Sequence, residues 1–308
     1  MKTRFIVNPN SGRYRRGHGL VAAIRAFIAE RQLDADLVLT SGRGHAPELA
    51  RAALAAGCDR VVAVGGDGTV NDAAQPLVGT SAVLALVPCG SGNGLARHLG
   101  LSLRPRRALA LLTDPTARVV AIDTGTANGH PFFNVMGAGF DAEISQRFNC
   151  LPQRGLAAYA YAGLRAFFRH RAERVVIADA DGHAESLETF VVAVANSDQY
   201  GNNARLAPGA CVDDGLFDLV VVQPPGIFRA VAMEARLFLG TFDRSPRVRR
   251  RRSSRFVIRR TAPGLIHTDG ETHATAATVE VAVRPRSLRL LVPATCPVGT
   301  TAGTQAAG

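Results

Sequence analysis

Apolar and polar positions follow two different rhythms along this chain. Residues 4–8 (RFIVN) form a short apolar run that meets Pro9, Asn10, Ser11 and Gly12, the pattern of a buried strand ending in a turn. Leu20, Ile24, Phe27 and Ile28 then recur on one face of a helix with a period of about 3.6 residues. The same reading predicts a strand at 35–40, a helix at about 46–56 closed by Gly57, a strand at 60–64, a helix from about Val70 and a strand at 83–87. Helices alternating with wholly apolar strands predict a parallel sheet covered on both faces, with ligands at the carboxyl ends of its strands.

From about residue 118 the rhythm changes to strands, glycines and short turns. Strands are expected at 118–127, 132–137, 174–179, 189–195, 216–223, 255–260, 277–283 and 287–292, with helices at about 155–170 and 226–240. The fold class expected is therefore an α/β domain at 1–122 followed by a mainly antiparallel, sandwich-like β domain at 123–284. The last strand, about 285–293, is a candidate to return to the first domain. The tail at 294–308 lacks apolar periodicity and is expected to be disordered.

Composition narrows the picture. A chain of 308 residues, 47% apolar and 20% charged, can bury a sizeable core without disulfides or metals. No apolar run reaches the ~18 residues needed to cross a bilayer, and the N-terminus lacks a signal-type apolar stretch, so a cytosolic protein is expected. The net charge is +11, and Lys2 is the only lysine. That excludes a P-loop lysine, the third-strand lysine of a protein kinase and a mid-chain Schiff base. The arginine excess attracts phosphate, nucleic acid or anionic lipid without choosing among them. Its densest block, Arg247, Arg249, Arg250, Arg251, Arg252, Arg255, Arg259 and Arg260, reads either as a docking face for anionic membrane or as a solvated strand face. Cys58, Cys89, Cys150, Cys211 and Cys296 are odd in number and widely spaced, so they read as reduced packing residues.

Two glycine loops carry the candidate chemistry. Gly65-Gly66-Asp67-Gly68-Thr69-Val70-Asn71 follows one apolar strand, and Pro88-Cys89-Gly90-Ser91-Gly92-Asn93-Gly94 follows another. Glycines let backbone approach a ligand, and the helix that follows offers unpaired N–H groups to phosphate. A carboxylate at Asp67 among phosphates makes sense with Mg²⁺ between them.

Here the sequence resembles the soluble lipid kinases with a diacylglycerol kinase catalytic domain, including bacterial diacylglycerol kinase-like enzymes and sphingosine kinases. The matching stretches are VNPNSG at 7–12, GGDGTVN at 65–71, PCGSGNGLAR at 88–97, IDTGTANGHPFFNVMGAGFDAEI at 122–144, YGNNARLAPGACVDDGLFDL at 200–219 and HTDGE at 267–271. The resemblance implies the NAD kinase/diacylglycerol kinase-like fold. It also implies ATP bound between the domains by Asn8, Pro9, Asn10, Ser11, Gly12, Thr40, Gly65, Gly66, Asp67, Gly68, Thr69, Val70, Asn71 and Ser91. Asp67 would order Mg²⁺ and the phosphates. Glu271 would accept the proton of the lipid hydroxyl, with Asp67 the competing base, and Asp123 would lie near the acceptor head group. A structural Mg²⁺ would be bound by Asp214 and the main-chain carbonyls of Cys211 and Leu216, unless Asp213-Asp214-Gly215 is a solvated turn.

The chain departs from the pattern at Gly94, where many members carry aspartate, at Asp72 and at Asn202-Asn203. The implied function is an ATP- and Mg²⁺-dependent kinase of a diacylglycerol-like lipid, peripheral to the inner face of the membrane; a homodimer is compatible with this. Rival readings are a sphingoid-base or ceramide kinase, an NAD kinase-like enzyme, and a catalytically silent lipid or nucleic-acid binder. Nucleic acid is not an expected partner, since charge alone supports it. Phe167, Phe168, Phe228, Phe238 and Phe242 are candidates for an acyl cleft or for core packing. His267 is a candidate substrate contact, with the other histidines read as surface residues.

Overall fold

The structure, a computed structural model, describes residues 1–12, 19–139, 142 and 172–298. The helix expected at 155–170, Cys150, Phe167 and Phe168 lie outside these residues. The chain forms two compact units, Met1–Thr124 with Pro285–Gly308, and Gly125–Arg284.

The first unit alternates β1 (Thr3–Val7), α1 (Gly19–Glu30), β2 (Ala35–Leu39), α2 (His45–Ala55), β3 (Arg60–Gly65), α3 (Asp67–Ala74), β4 (Val83–Pro88), α4 (Gly94–His98) and α5 (Pro105–Ala110). β5 (Arg118–Ala127) follows. β1 pairs in parallel with β2 and β3, and β3 with β4. The chain's last strand, a 15-residue element at 278–292, pairs in parallel with β4 through Arg289 and Leu290. One face of β1, β3 and β4 buries Phe5, Val7, Val62, Val64, Ala85 and Val87 with Leu20 and Ile24 of α1 and Ala108 and Leu109 of α5. The other face is buried too, at Ile6, Val61, Ala63, Leu84 and Leu86. Burial on both faces is why these strands read as unbroken apolar runs.

The second unit is a sandwich of antiparallel sheets. Its elements are β6 (His130–Phe132), β7 (Val135–Gly139), β8 (Glu173–Asp179), β9 (Ala184–Thr189), β10 (Val191–Ala195), β11 (Gln199–Gly201), β12 (Ala204–Arg205) and β13 (Phe217–Val222). Then come α6 (Ile227–Leu239), β14 (Val248–Ser253), β15 (Arg255–Arg259), β16 (Gly264–Thr268), β17 (Glu271–Thr275) and β18 (Thr278–Val292). One sheet runs β14-β13-β10-β7-β16-β17, and β18, β15, β8 and β9 pair in that order in the other. Phe132, Met136, Phe217, Phe256, Ile258 and Ile266 fill the core between them.

Several expectations need correction. The strand expected at 132–137 is two, because Phe133 and Asn134 leave the ladder to meet a carboxylate described below. The strands at 277–283 and 287–292 are one, which continues through Arg286 despite its φ of 46°. Arg249, Arg250, Arg251 and Arg252 of the arginine block lie in β14, an element the apolar pattern missed. The tail expected to be disordered from 294 is packed as far as it is described: Cys296 and Val298 are buried, and Arg118 donates to the Cys296 carbonyl.

Candidate active site

The first unit builds its candidate site at the ends of β1, β3 and β4. α3 begins at Asp67 rather than near Val70, so Gly66 is the helix cap and the expected loop is a tight strand-to-helix turn. An aspartate in the first turn suits the positive end of the helix dipole. Both Asp67 oxygens accept main-chain bonds from the next loop: Oδ2 from Asn93 N and Oδ1 from Gly94 N, each 2.8 Å. Asn93 stands at a φ of 51° and closes its loop on itself, donating to the Gly90 carbonyl at 2.7 Å while accepting from Gly90 N at 3.0 Å. The departure at Gly94 therefore removes nothing this geometry uses, since its backbone N–H does the bonding.

The three loops touch through backbone. A Cβ on Gly90 would lie 2.6 Å from Gly66 Cα, and one on Gly12 would lie 1.8 Å from the Cys89 carbonyl oxygen. Only glycine allows such approach. Asn8 donates from Nδ2 to Thr69 Oγ1 at 3.0 Å, while its own Oδ1 accepts from Asn10 N at 2.9 Å. Burial pushes the Cys89 thiol up to about 12, which keeps it protonated and makes it packing.

Within this rim the sequence candidates differ in exposure. Pro9, Asn10, Gly12, Gly68 and Ser91 are exposed, and Asn8, Ser11, Gly66 and Asp67 are half-buried. Gly65, Thr69, Val70, Asn71 and Thr40 are buried. Asn71 accepts from Gln75 Nε2 at 2.7 Å, so its side chain braces α3. A Cβ on Gly68 would meet nothing within 4 Å, leaving open space over the first turn of α3, where N–H groups lack helical partners.

Asp123, expected near the acceptor head group, is buried. It has 0% exposure, and its Oδ1 accepts from Arg286 N at 2.7 Å, so it ties β5 to β18.

In the second unit Glu271 is exposed at the first position of β17. It follows a two-residue turn in which Asp269 and Gly270 have φ of 49° and 88°, the conformation that tight hairpins need. The Asp269 carboxylate is clamped by three consecutive N–H groups, from Phe133 at 2.8 Å, Asn134 at 3.0 Å and Val135 at 2.9 Å. His267 Nδ1 accepts from Gly270 N at 3.3 Å. His273, read from sequence as a surface residue, stacks on His130 with centroids 3.9 Å apart and bonds through Nε2 to Thr268 Oγ1. Burial first, then the His130 and His267 rings, hold His273 below the usual imidazole range, with Glu271 pulling it back up.

The residues proposed for Mg²⁺ offer the hard oxygen donors this ion takes. Asp214, however, already accepts from Leu216 N at 3.0 Å and pairs with Arg252. A cation bound there shares Asp214 with a guanidinium. The arginine block is likewise engaged. Arg249 pairs with Glu185, Arg250 with Asp218, Arg251 with Asp179 and Glu185, Arg252 with Asp214 and Asp218, and Arg255 with Glu280. Arg249, Arg250, Arg251, Arg252 and Arg255 thus form a ladder of internal ion pairs. Of the phenylalanines proposed for an acyl cleft, Phe242 is buried with the core beneath α6, and Phe238 is exposed.

Comparison with known proteins places these features. Residues 2–127 match the diacylglycerol kinase catalytic domain model, and residues 134–292 match the YegS C-terminal NAD kinase beta sandwich-like domain. A protein of Pseudomonas putida named probable lipid kinase YegS-like is 33% identical over 268 residues, covering 85% of this chain and 87% of that one. Its namesake in Pseudomonas syringae pv. tomato is 32% identical over 287 residues, covering 89% and 90%. A crystal structure of a diacylglycerol kinase from Bacillus anthracis str. Sterne superposes with a TM-score of 0.72 at 21% identity, covering 94% of this chain and 96% of that one, a likeness of fold.

Proposed function

Because this chain belongs to the lipid kinase family that carries the diacylglycerol kinase catalytic domain, we propose that it transfers the terminal phosphoryl group of ATP, with Mg²⁺, to a hydroxyl of a diacylglycerol-like lipid at a membrane surface. The observation that carries the donor half is the Asp67 clamp, which fixes two glycine loops against the open N-terminal turn of α3. Phosphoryl transfer depends chiefly on positioning and neutralised oxygens, which backbone N–H groups and a cation supply without a P-loop lysine.

Asp67 uses one lone pair of each oxygen on backbone. A carboxylate has about four such sites, so Asp67 can also meet a phosphate-bound cation. Glu271, exposed on its clamped turn, takes the proton of the lipid hydroxyl as that oxygen attacks phosphorus and ADP leaves. Asp214, with the carbonyls of Cys211 and Leu216, would hold a second, structural Mg²⁺. In this reading the exposed or half-buried Asn8, Asn10, Ser11, Gly12, Gly68 and Ser91 contact the nucleotide, and the buried Thr40, Val70 and Asn71 support them. Among the described residues no helix is long and apolar enough to cross a membrane.

The deciding experiment incubates purified protein with γ-labelled ATP and Mg²⁺ on vesicles holding diacylglycerol, monoacylglycerol, ceramide or a sphingoid base, with NAD as a soluble acceptor. Label is expected in diacylglycerol. Label in ceramide or the sphingoid base would reassign the acceptor, and label in NAD alone would overturn the lipid reading.

A further inference from the structure

The six-stranded sheet of the second unit has two edges. β17, which carries Glu271, is one. β14 is the other, five strand intervals away, or roughly 24 Å at about 4.8 Å per strand. β14 pairs with β13 so that Arg249 lies opposite Val221 and Arg251 opposite Leu219. Directly opposed residues of an antiparallel pair share a face, and Leu219 and Val221 belong to the core between the sheets. Arg249 and Arg251 therefore point where a sandwich interior ordinarily holds apolar side chains.

On the facing sheet, β8 and β9 set Ile177 opposite Glu185 and Val175 opposite Leu187. A cavity of about 330 Å³ opens between the sheets, walled by Ile177, Leu187, Leu219 and Val221, with the arginines and Glu185 around it. That volume lies at the lower end of the roughly 300–1,000 Å³ range of ligand pockets, which suits one alkyl chain rather than a two-chain lipid.

Glu185 joins the two arginines across this space. Its Oε1 accepts from Arg249 Nη1 at 2.9 Å and its Oε2 from Arg251 Nη2 at 3.0 Å. The Glu185 side chain is 34% exposed and sits on edge strand β9, so it can turn outward. Arg250 is held elsewhere, by Asp218 at 2.7 Å, and Asp179 also holds Arg251 at 3.3 Å. With Glu185 turned out, two guanidinium groups face one remaining carboxylate beside an apolar cavity.

We propose that this cavity is a second lipid site, for a single-chain anionic amphiphile whose alkyl chain enters between the sheets and whose carboxylate or phosphate head takes the place of Glu185 on Arg249 and Arg251. Charge-assisted bonds from paired guanidiniums are the geometry by which proteins hold such heads, and here a carboxylate already occupies it. The site shares no residue with the phosphate loops or the Glu271 turn, so binding is read without nucleotide and independently of phosphoryl transfer.

The test displaces a fluorescent fatty acid from the full chain with dodecanoate, dodecyl phosphate, dodecanol or inorganic phosphate, all below micelle formation. One saturable site is expected. Either anionic amphiphile empties it, the relative strength of the two identifies the preferred head, and dodecanol and inorganic phosphate alone compete poorly. Glu185→Gln removes the competing charge and tightens binding about tenfold, while Arg249→Gln with Arg251→Gln weakens it about tenfold. Leu187→Trp fills the cavity and abolishes binding at an unfolding midpoint that shows the fold intact. If that variant fails to fold, the opposite shifts in the glutamate and arginine variants still decide. Absence of saturable binding in both wild type and Glu185→Gln, or equal affinity in all variants, would overturn the proposal and leave these charges as closure of the sandwich edge.

Discussion

Two aspartates hold the candidate chemistry in place through backbone N–H groups, Asp67 from Asn93 and Gly94, and Asp269 from Phe133, Asn134 and Val135. Charge-assisted bonds of this kind contribute about 1.5–3 kcal/mol each, and they do not add simply. Asp269→Ala should therefore lower unfolding free energy by about 3 kcal/mol in urea titration. It should also reduce kcat at least tenfold with ATP affinity retained, because Glu271 loses its fixed turn; unchanged kcat would separate the clamp from catalysis. Beside it, His273 titrates below its unfolded value of about 6.5. Above that pH both states are neutral and stability is flat. Below it the unfolded chain takes the proton first, so stability falls with pH until the folded imidazole also protonates. Urea unfolding at pH 7.5 and 5.5 should show this loss in wild type and a smaller one in His273→Gln; equal slopes would contradict it. As candidates, Asp67 and Glu271 could be singled out because each stands in a glycine-rich motif. The role of Asp269 could not, since its partners lie over 130 positions away. Asp123 also braces the fold, which its motif stretch did not announce, since its partner Arg286 lies 163 positions away.

At the scale of elements, strands buried on both faces announce themselves, and β1, β3 and β4 emerged nearly where apolar runs placed them. β14 did not. Its four consecutive arginines satisfy the ladder through backbone and their charges through Glu185, Asp179, Asp214 and Asp218, and no single-strand pattern contains those partners. The turn between β3 and α3 gives a sharper test. Gly68→Ala places a methyl in open space inside a helix, so stability should hold or rise by roughly 0.5–1 kcal/mol while nucleotide affinity drops at least tenfold. Gly90→Ala forces a Cβ against Gly66 and should cost about 1–3 kcal/mol as well as nucleotide binding. Calorimetry of ATP binding with thermal unfolding separates the two. Unchanged affinity in a well-folded Gly68→Ala would remove phosphate from this turn.

At the scale of the molecule, β5 and β18 each supply residues to both units, so the first unit is built from two separated stretches of chain while the second, Gly125–Arg284, is one continuous stretch. The change of rhythm near residue 118 was legible because β1, β3 and β4 are buried on both faces, whereas strands of the second unit such as β9 and β15 alternate more and less buried positions. The unbroken course of β18 was not, because Pro285 and Arg286 interrupt its apolar alternation. The net charge of +11 looked like a membrane signal, yet Arg249, Arg250, Arg251 and Arg252 of the densest basic block pair with Asp218 of the neighbouring strand, with Asp214, and with Asp179 and Glu185 of the facing sheet. The proposed function joins a donor site built from glycine loops to an acceptor base, Glu271, carried on a clamped hairpin. The most direct test is steady-state transfer of labelled phosphate from ATP to a short-chain, dispersed diacylglycerol by wild type and Glu271→Gln. Wild type should label the lipid, and Glu271→Gln should fall about 100-fold or more in kcat with KM for ATP unchanged. Turnover in Glu271→Gln equal to wild type, or no labelled lipid from wild type, would contradict the account.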